Sequence, residues 1–249
     1  MSGHSKWATI KRKKEATDSK RASAFTKVTR EIITAAKNGG GEPENNFRLR
    51  LVIMKAKAIN MPNDNIQRAI KRGIGETDAA QYEEIYYEGY GPGGVALLVK
   101  GLTDNRNRTA GDMRYIFSRN YGNLGEAGCV SWMFDAKGLL TIPIESAGKS
   151  EEELFEMAIE AGAEDLKANE ETYEVYTEPG QLDRVRTYFE KQKLPLKEVE
   201  LTMVPQNTIE ISGEQVSQLF KLIDALEENE DVQSFYGNFE ISDEEIDKI

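Results

Sequence analysis

Apolar positions recur along this chain first at a helical period and then at an alternating one. Between 18 and 37, Phe25, Val28, Thr29, Ile32 and Ala36 fall at steps of three or four, which predicts an amphipathic helix. Thr17 or Asp18 can cap its start. Gly39, Gly40 and Gly41 can end it, because glycine accepts the left-handed conformation on which helices terminate. Phe47, Leu51, Met54 and Ala58 predict a second helix over 46–60, broken at Met61 and Pro62. Ile66, Ala69 and Ile70 predict a third, starting at Asn63 or Asp64 and ending at Gly73. Three helices with short connections make a small bundle.

Beyond this point the pattern changes. Residues 82–90 and 95–101 are β-branched, aromatic or aliphatic and flank the turn signal GPGG, so they predict a strand pair. Ala110, Met113, Ile116 and Phe117 predict a helix, and 129–134 another strand. A new unit then reads strand 139–144, helix 151–161, strands 164–167 and 172–177, helix 181–192 and strand 196–204. That order, βαββαβ, is the ferredoxin-like plan. A helix over 213–228 and a strand over 232–236 follow, and the tail SDEEIDKI reads as a short solvated helix or a frayed end. The stretch 82–134 has strands but only one helix, so the C-terminal helix and strand can complete it and make the ferredoxin-like unit an insertion. The expected fold is α+β: a three-helix bundle (1–78), an α+β domain (79–135 with 206–249), and an inserted ferredoxin-like domain (136–205).

Charge sharpens this division. The net charge is −11, yet residues 1–75 hold 17 Lys+Arg against 6 Asp+Glu, a net of +11, and the remainder carries −22. This asymmetry predicts a basic binding module on an acidic body. With a Debye length of about 8 Å, the distant acidic surface is largely screened from a polyanion held on the basic module. No apolar run reaches the roughly 20 residues a membrane helix needs, and the N-terminus lacks the apolar core of a secretory signal. Cys129 is the only cysteine, so no intrachain disulfide can form; it reads as a buried residue in a reducing interior. His4 is the only histidine, which removes most metal and acid–base constellations. No cofactor and no small-molecule substrate are expected.

Candidate binding chemistry concentrates near the N-terminus. Lys6, Lys11, Arg12, Lys13 and Lys14 surround Trp7, a combination suited to gripping phosphates and stacking a base. On the first helix Lys20, Lys27, Arg30 and Lys37 lie opposite Phe25 and Ile32 on a 100° wheel, with Arg21 nearby; the alternative is a solvated helix surface. Arg106, Arg108 and Arg114 form a second basic patch. It opens a helix whose free N–H groups can help to hold an anion, unless TDNRNRT is only a capping loop. Gly89 to Gly94 match G-x-G-x-x-G, but strand follows strand there and Pro92 lies inside, so a tight turn replaces a dinucleotide site. The competing class is a divalent-metal phosphodiesterase using Glu84, Glu88, Asp104 and Asp112, and a pure protein-interaction scaffold is the third option.

These residues also carry a resemblance. GHSKW (3–7), FTKVTREI (25–32), GGG (39–41), KAKAINMPNDNIQRAIKRG (55–73), YEGYGPGG (87–94) and TDNRNRT (103–109) make the chain resemble the YebC family, which includes the mitochondrial translational activator of cytochrome c oxidase. The resemblance implies three domains, the third inserted in the second. It implies a gene-expression regulator that binds DNA or, in the translational branch, acts on ribosomal RNA and on ribosomes stalled at proline-rich stretches. The ribosome or the transcription machinery is then the expected assembly, without enzymatic activity. Starting at GHSKW without a presequence, the chain resembles bacterial cytoplasmic members. Phe47 stands where a proline is expected to open the second helix, and Asn63 where a lysine often follows Met-Pro.

Overall fold

A computed structural model describes residues 18–75 and 81–246. The chain divides into two compact units, one made of the described residues up to Phe134 together with those from Pro205 onward, the other Asp135–Val204.

The first unit begins with helices α1 (Asp18–Gly39), α2 (Phe47–Ala58) and α3 (Asn63–Gly73). Val28, Ile32, Ile33 and Ala36 of α1 pack with Leu49, Val52, Ala56, Ile66, Ala69 and Ile70 in a core of their own. One buried side chain organises the turn between the first two helices. Asn46 caps α2 by accepting the Leu49 N–H at 3.0 Å, while its amide donates to Ala35 and Gly40 carbonyls, each at 2.8 Å. The glycine run has divided roles. Gly40 adopts the left-handed conformation at φ 87°, whereas Gly39 leaves room, since a Cβ there would lie 2.6 Å from Asn46 Nδ2. Helix α2 opens at Phe47 without a proline, because the Asn46 cap already sets its start.

Strands β1 (Glu83–Tyr90) and β2 (Ala96–Thr103) form an antiparallel hairpin around a 3-10 turn at Pro92–Gly94. Helix α4 (Arg106–Arg119) follows, then β3 (Asn123–Leu124), a two-residue strand that the sequence pattern did not signal. The expected strand over 129–134 is replaced by a loop and a 3-10 turn at Ser131–Met133. Its backbone cannot join a ladder because the N–H groups of Gly128, Val130 and Ser131 all donate to the buried Glu88 carboxylate, at 2.7, 2.8 and 2.7 Å. Burial pushes that carboxyl up, but the three N–H donors outweigh it and hold it below its ordinary value. Cys129, in this loop, is only partly buried.

The second unit carries β4 (Phe134–Pro143), the short α5 (Ile144–Ala147), α6 (Glu151–Ala161), β5 (Asp165–Ala168), β6 (Thr172–Thr177), α7 (Leu182–Lys191) and β7 (Glu198–Pro205). Its strand order β5-β6-β4-β7, antiparallel between β4, β6 and β5, is the ferredoxin-like arrangement. After it the chain returns to the first unit. There α8 (Glu214–Glu228) covers the sheet and β9 (Val232–Gly237) pairs antiparallel with β2, giving the order β3-β1-β2-β9. Leu97, Val99, Met113, Phe117, Leu219, Phe220, Ile223 and Phe235 share the resulting core. The ferredoxin-like domain is thus inserted between α4 and the strand that completes its parent sheet. A parallel pair, β8 (Ile209–Glu210) with β10 (Phe239–Glu240), and helix α9 (Asp243–Ile246) complete the fold.

Replacing Asn46 by alanine removes the α2 cap and leaves two carbonyls short of a donor. The expected cost is about 2 kcal/mol, read as a lower urea midpoint for loss of helical circular dichroism; an unchanged midpoint would contradict the role given to this side chain.

Candidate nucleic-acid interface and the Asp231 centre

Helix α1 buries one side on the helical core, which leaves Lys27 and Arg30 on another. They do not present themselves to solvent as the helical wheel suggests. Lys27 Nζ donates to the Glu227 carbonyl at 2.6 Å, and Arg30 Nη1 donates to the Glu230 carbonyl at 2.7 Å and to Asp231 Oδ1 at 2.6 Å. The Arg30 side chain is only 12% exposed, with its guanidinium over the Tyr82 ring. Cations therefore meet the carbonyl-rich C-terminal end of α8, where the helix dipole favours them.

Asp231 is the centre of this junction. It is 4% exposed. Its Oδ2 accepts from Thr109 Oγ1 at 2.6 Å, Arg108 Nη2 at 2.9 Å and Thr103 Oγ1 at 3.2 Å. Its N–H donates to Asn229 Oδ1, and its carbonyl accepts from the Leu102 N–H. Asn105 caps α4 by accepting the Arg108 N–H, and Arg108 also pairs with Asp104 at 2.8 Å. Within TDNRNRT the Arg108 guanidinium and the Thr103 and Thr109 hydroxyls thus hold an anion, and that anion is the protein's own carboxylate. Burial pushes the Asp231 carboxyl up, but the hydrogen bonds from Thr109 and Arg108 and the charges of Arg108 and Arg30 outweigh it. The group is held below its ordinary value of 3.8. Beside it lies a polar cleft of about 360 Å3, lined by Arg30, Asp104, Arg108, Asp112, Glu228, Asn229, Glu230 and Asp231.

The other expected site residues are scattered. Lys6, Trp7, Lys11, Arg12, Lys13 and Lys14 lie outside the described residues, as does His4; Lys20 and Arg21 fall in α1, their side chains undescribed. Arg106 is 68% exposed and 3.8 Å from Glu83, and Arg114 is exposed. The four carboxylates of the phosphodiesterase alternative do not form one cluster: Asp104 and Asp112 share the cleft beside Asp231, but Glu84 and Glu88 do not line it, and no group of three or more that could hold a metal ion occurs among the described residues. Glu84 pairs with Arg48 and Lys100, Glu88 with the loop N–H groups, Asp104 with Arg108, and Asp112 with Asn229. Basic side chains beyond those expected from the sequence are exposed on α2 and α3: Lys57, Arg68 and Lys71, with Arg72 half-buried. Their signal was present, since they stand opposite the apolar stripe of a short amphipathic helix.

Removing one partner of a buried charge cluster leaves the others uncompensated, so Asp231→Asn is expected to cost about 3 kcal/mol near neutral pH. Because the folded carboxyl titrates below the unfolded one, its stabilisation is present above about pH 4 and is lost as the pH falls through the lower folded value. The gap between parent and variant in urea unfolding should therefore shrink from neutral pH towards about pH 2; a gap that does not change with pH would contradict the assignment.

Comparison with known proteins agrees with this architecture. Residues 5–76 match the TACO1/YebC protein N-terminal domain, and residues 82–239 match the TACO1/YebC second and third domain. A Natranaerobius thermophilus protein named "Probable transcriptional regulatory protein" is 54% identical over 98% of each chain. A protein of Geobacter sulfurreducens, also named a probable transcriptional regulatory protein, is 54% identical over 100% of each. The crystal structure of a conserved hypothetical protein from Aquifex aeolicus superposes with a TM-score of 0.82 at 47% identity, covering 91% of this chain and 93% of that one. The chain belongs to the TACO1/YebC family.

Proposed function

We propose that this protein is a non-enzymatic regulator of gene expression that binds nucleic acid through its helical layer and the basic segment preceding it. The carrying observation is the charge division, +11 over residues 1–75 against −22 over the rest. Lys57, Arg68 and Lys71, exposed on α2 and α3, extend the cationic surface expected of Lys6, Lys11, Arg12, Lys13, Lys14, Lys20 and Arg21, with Trp7 placed to stack or pack among them. The names carried by close relatives support transcriptional regulation, with DNA as the first partner. Lys27 and Arg30 belong to the interface only if phosphate replaces the carbonyl and carboxylate partners they now have. We also take residues 1–78 as a domain in its own right, which the separate core of the three helices supports.

A second reading, a translation factor on ribosomal RNA, is favoured by one observation. The exposed cations suit phosphate contacts, and base-edge readout by a helix pair has no evident counterpart in the sequence. No helix among the described residues is long and apolar enough to cross a membrane, and we place the protein in the cytoplasm.

Phosphate-driven binding releases counterions, so log affinity should fall linearly with log salt concentration. Converting Lys11, Arg12, Lys13 and Lys14 to glutamine in the full chain should weaken binding more than tenfold at low salt and reduce the magnitude of the salt slope by about three to four. Fluorescence anisotropy with duplex DNA and a ribosomal RNA fragment measures both quantities, and an unchanged affinity and slope would defeat the reading. Crosslinking in cells assigns the partner: recovery at promoters favours transcription, and recovery on ribosomal RNA favours translation.

A further inference from the structure

Two residues in and just after α4 are intrinsically unfavourable where they stand, although the left-handed turn at Tyr121 closes the helix by letting the Gly122 N–H donate to the Phe117 carbonyl at 2.9 Å. Gly111 occupies the helix interior, where glycine is a poorer choice than alanine, yet a Cβ there would meet nothing within 4 Å. Neither a turn nor a close approach requires it. Tyr121, just past the helix end, is held in the left-handed conformation at φ 61°, which suits glycine or asparagine rather than an aromatic residue. Its side chain is 60% exposed, so packing does not offset the strain. Between them stands Tyr115, at 67% the most exposed of the large hydrophobic side chains among the described residues. Gly111, Tyr115, Ser118 and Arg119 share one outward strip of the helix, and all are exposed. Arg114 flanks the strip. Neither Arg114 nor Arg119 forms an ion pair with a carboxylate among the described residues, in contrast to Arg108 one turn before Gly111.

We propose that this face, formed by Gly111, Arg114, Tyr115, Ser118, Arg119 and Tyr121, binds an unpaired stretch of RNA. Two exposed phenol rings offer stacking surfaces, the bare backbone at Gly111 leaves room for a planar base against Tyr115, and the two arginines supply cations for the phosphates that connect stacked bases. A duplex keeps its bases stacked on one another and cannot use such a surface. The choice of ribose follows from hydrogen-bond capacity. Ser118 Oγ already donates to the Tyr115 carbonyl at 3.1 Å, and Asn120 Nδ2 donates to the Ile116 carbonyl at 2.8 Å. What Ser118 Oγ and Asn120 Oδ1 still offer is acceptor capacity, which matches a 2′-hydroxyl donor and has no counterpart in deoxyribose. This inference rests on the reading that the chain binds nucleic acid, and it selects the RNA form of that reading for this surface.

The test uses the full chain, a labelled unstructured oligoribonucleotide, the single-stranded DNA of the same sequence and an RNA duplex of the same length. Tyr115→Ala should weaken binding of the single-stranded RNA about tenfold while leaving duplex affinity unchanged. Tyr121→Gly and Gly111→Ala should each raise the melting temperature, because they remove a local strain or an unfavourable helix residue, and should each weaken single-stranded RNA binding. A residue with a merely structural role would not become more stable and bind less. If the three variants leave single-stranded RNA affinity unchanged, the inference is overturned while the basic module stands. Equal affinity and equal loss on single-stranded DNA overturn the assignment to RNA. If the unmodified chain binds none of the probes, both this inference and the proposed function fall.

Discussion

A carboxylate taken out of water keeps its charge only where donors replace the lost hydration. Asp231 meets that requirement by drawing on two distant parts of the chain and on a close neighbour. Arg30 comes from the first helix, Thr103, Arg108 and Thr109 come from the end of β2 and the start of α4, and Asn229 holds its own backbone. Most of what distinguishes the first unit depends on this gathering. It fixes where α1 meets the end of α8, it sets the start of α4, and it lines the polar cleft with opposing charges.

Much of the architecture is written in local patterns. The stripe of Val28, Ile32 and Ala36, the Asn46 cap, the GPGG turn and the βαββαβ order each rest on residues close in sequence, and each is found in the fold. The return of the C-terminal helix and strand was legible for a different reason. A hairpin followed by a single helix leaves a sheet incomplete, and only one later helix and strand could finish it. The failures have a common physical cause. The segment 129–134 has strand-forming residues, but its N–H groups are claimed by Glu88, some forty positions away in the chain. Lys27 and Arg30 lie on the polar side of the helical wheel as expected, but a wheel describes one helix and carries no information about acceptors 200 positions further on.

The same contrast shapes the functional picture. Charges in this protein are of two kinds: those neutralised within the fold, as at Arg30, Arg108 and Glu84, and those left to solvent, as at Lys57, Arg68, Lys71, Arg114 and Arg119. Only the second kind is available to a polyanion without breaking something. A basic motif such as TDNRNRT therefore contributes to the fold through Arg108 and to the surface through Arg106, and net charge alone does not separate the two contributions.

The claim that Asp231 pins the first helix to the α+β layer is tested most directly by a double-mutant cycle between Arg30→Met and Asp231→Asn, followed by equilibrium unfolding in urea. Residues joined through a buried ion pair should show a coupling of about 1.5 kcal/mol or more, so that the double variant is more stable than the sum of the single losses implies. Additive losses, with a coupling close to zero, would contradict the account.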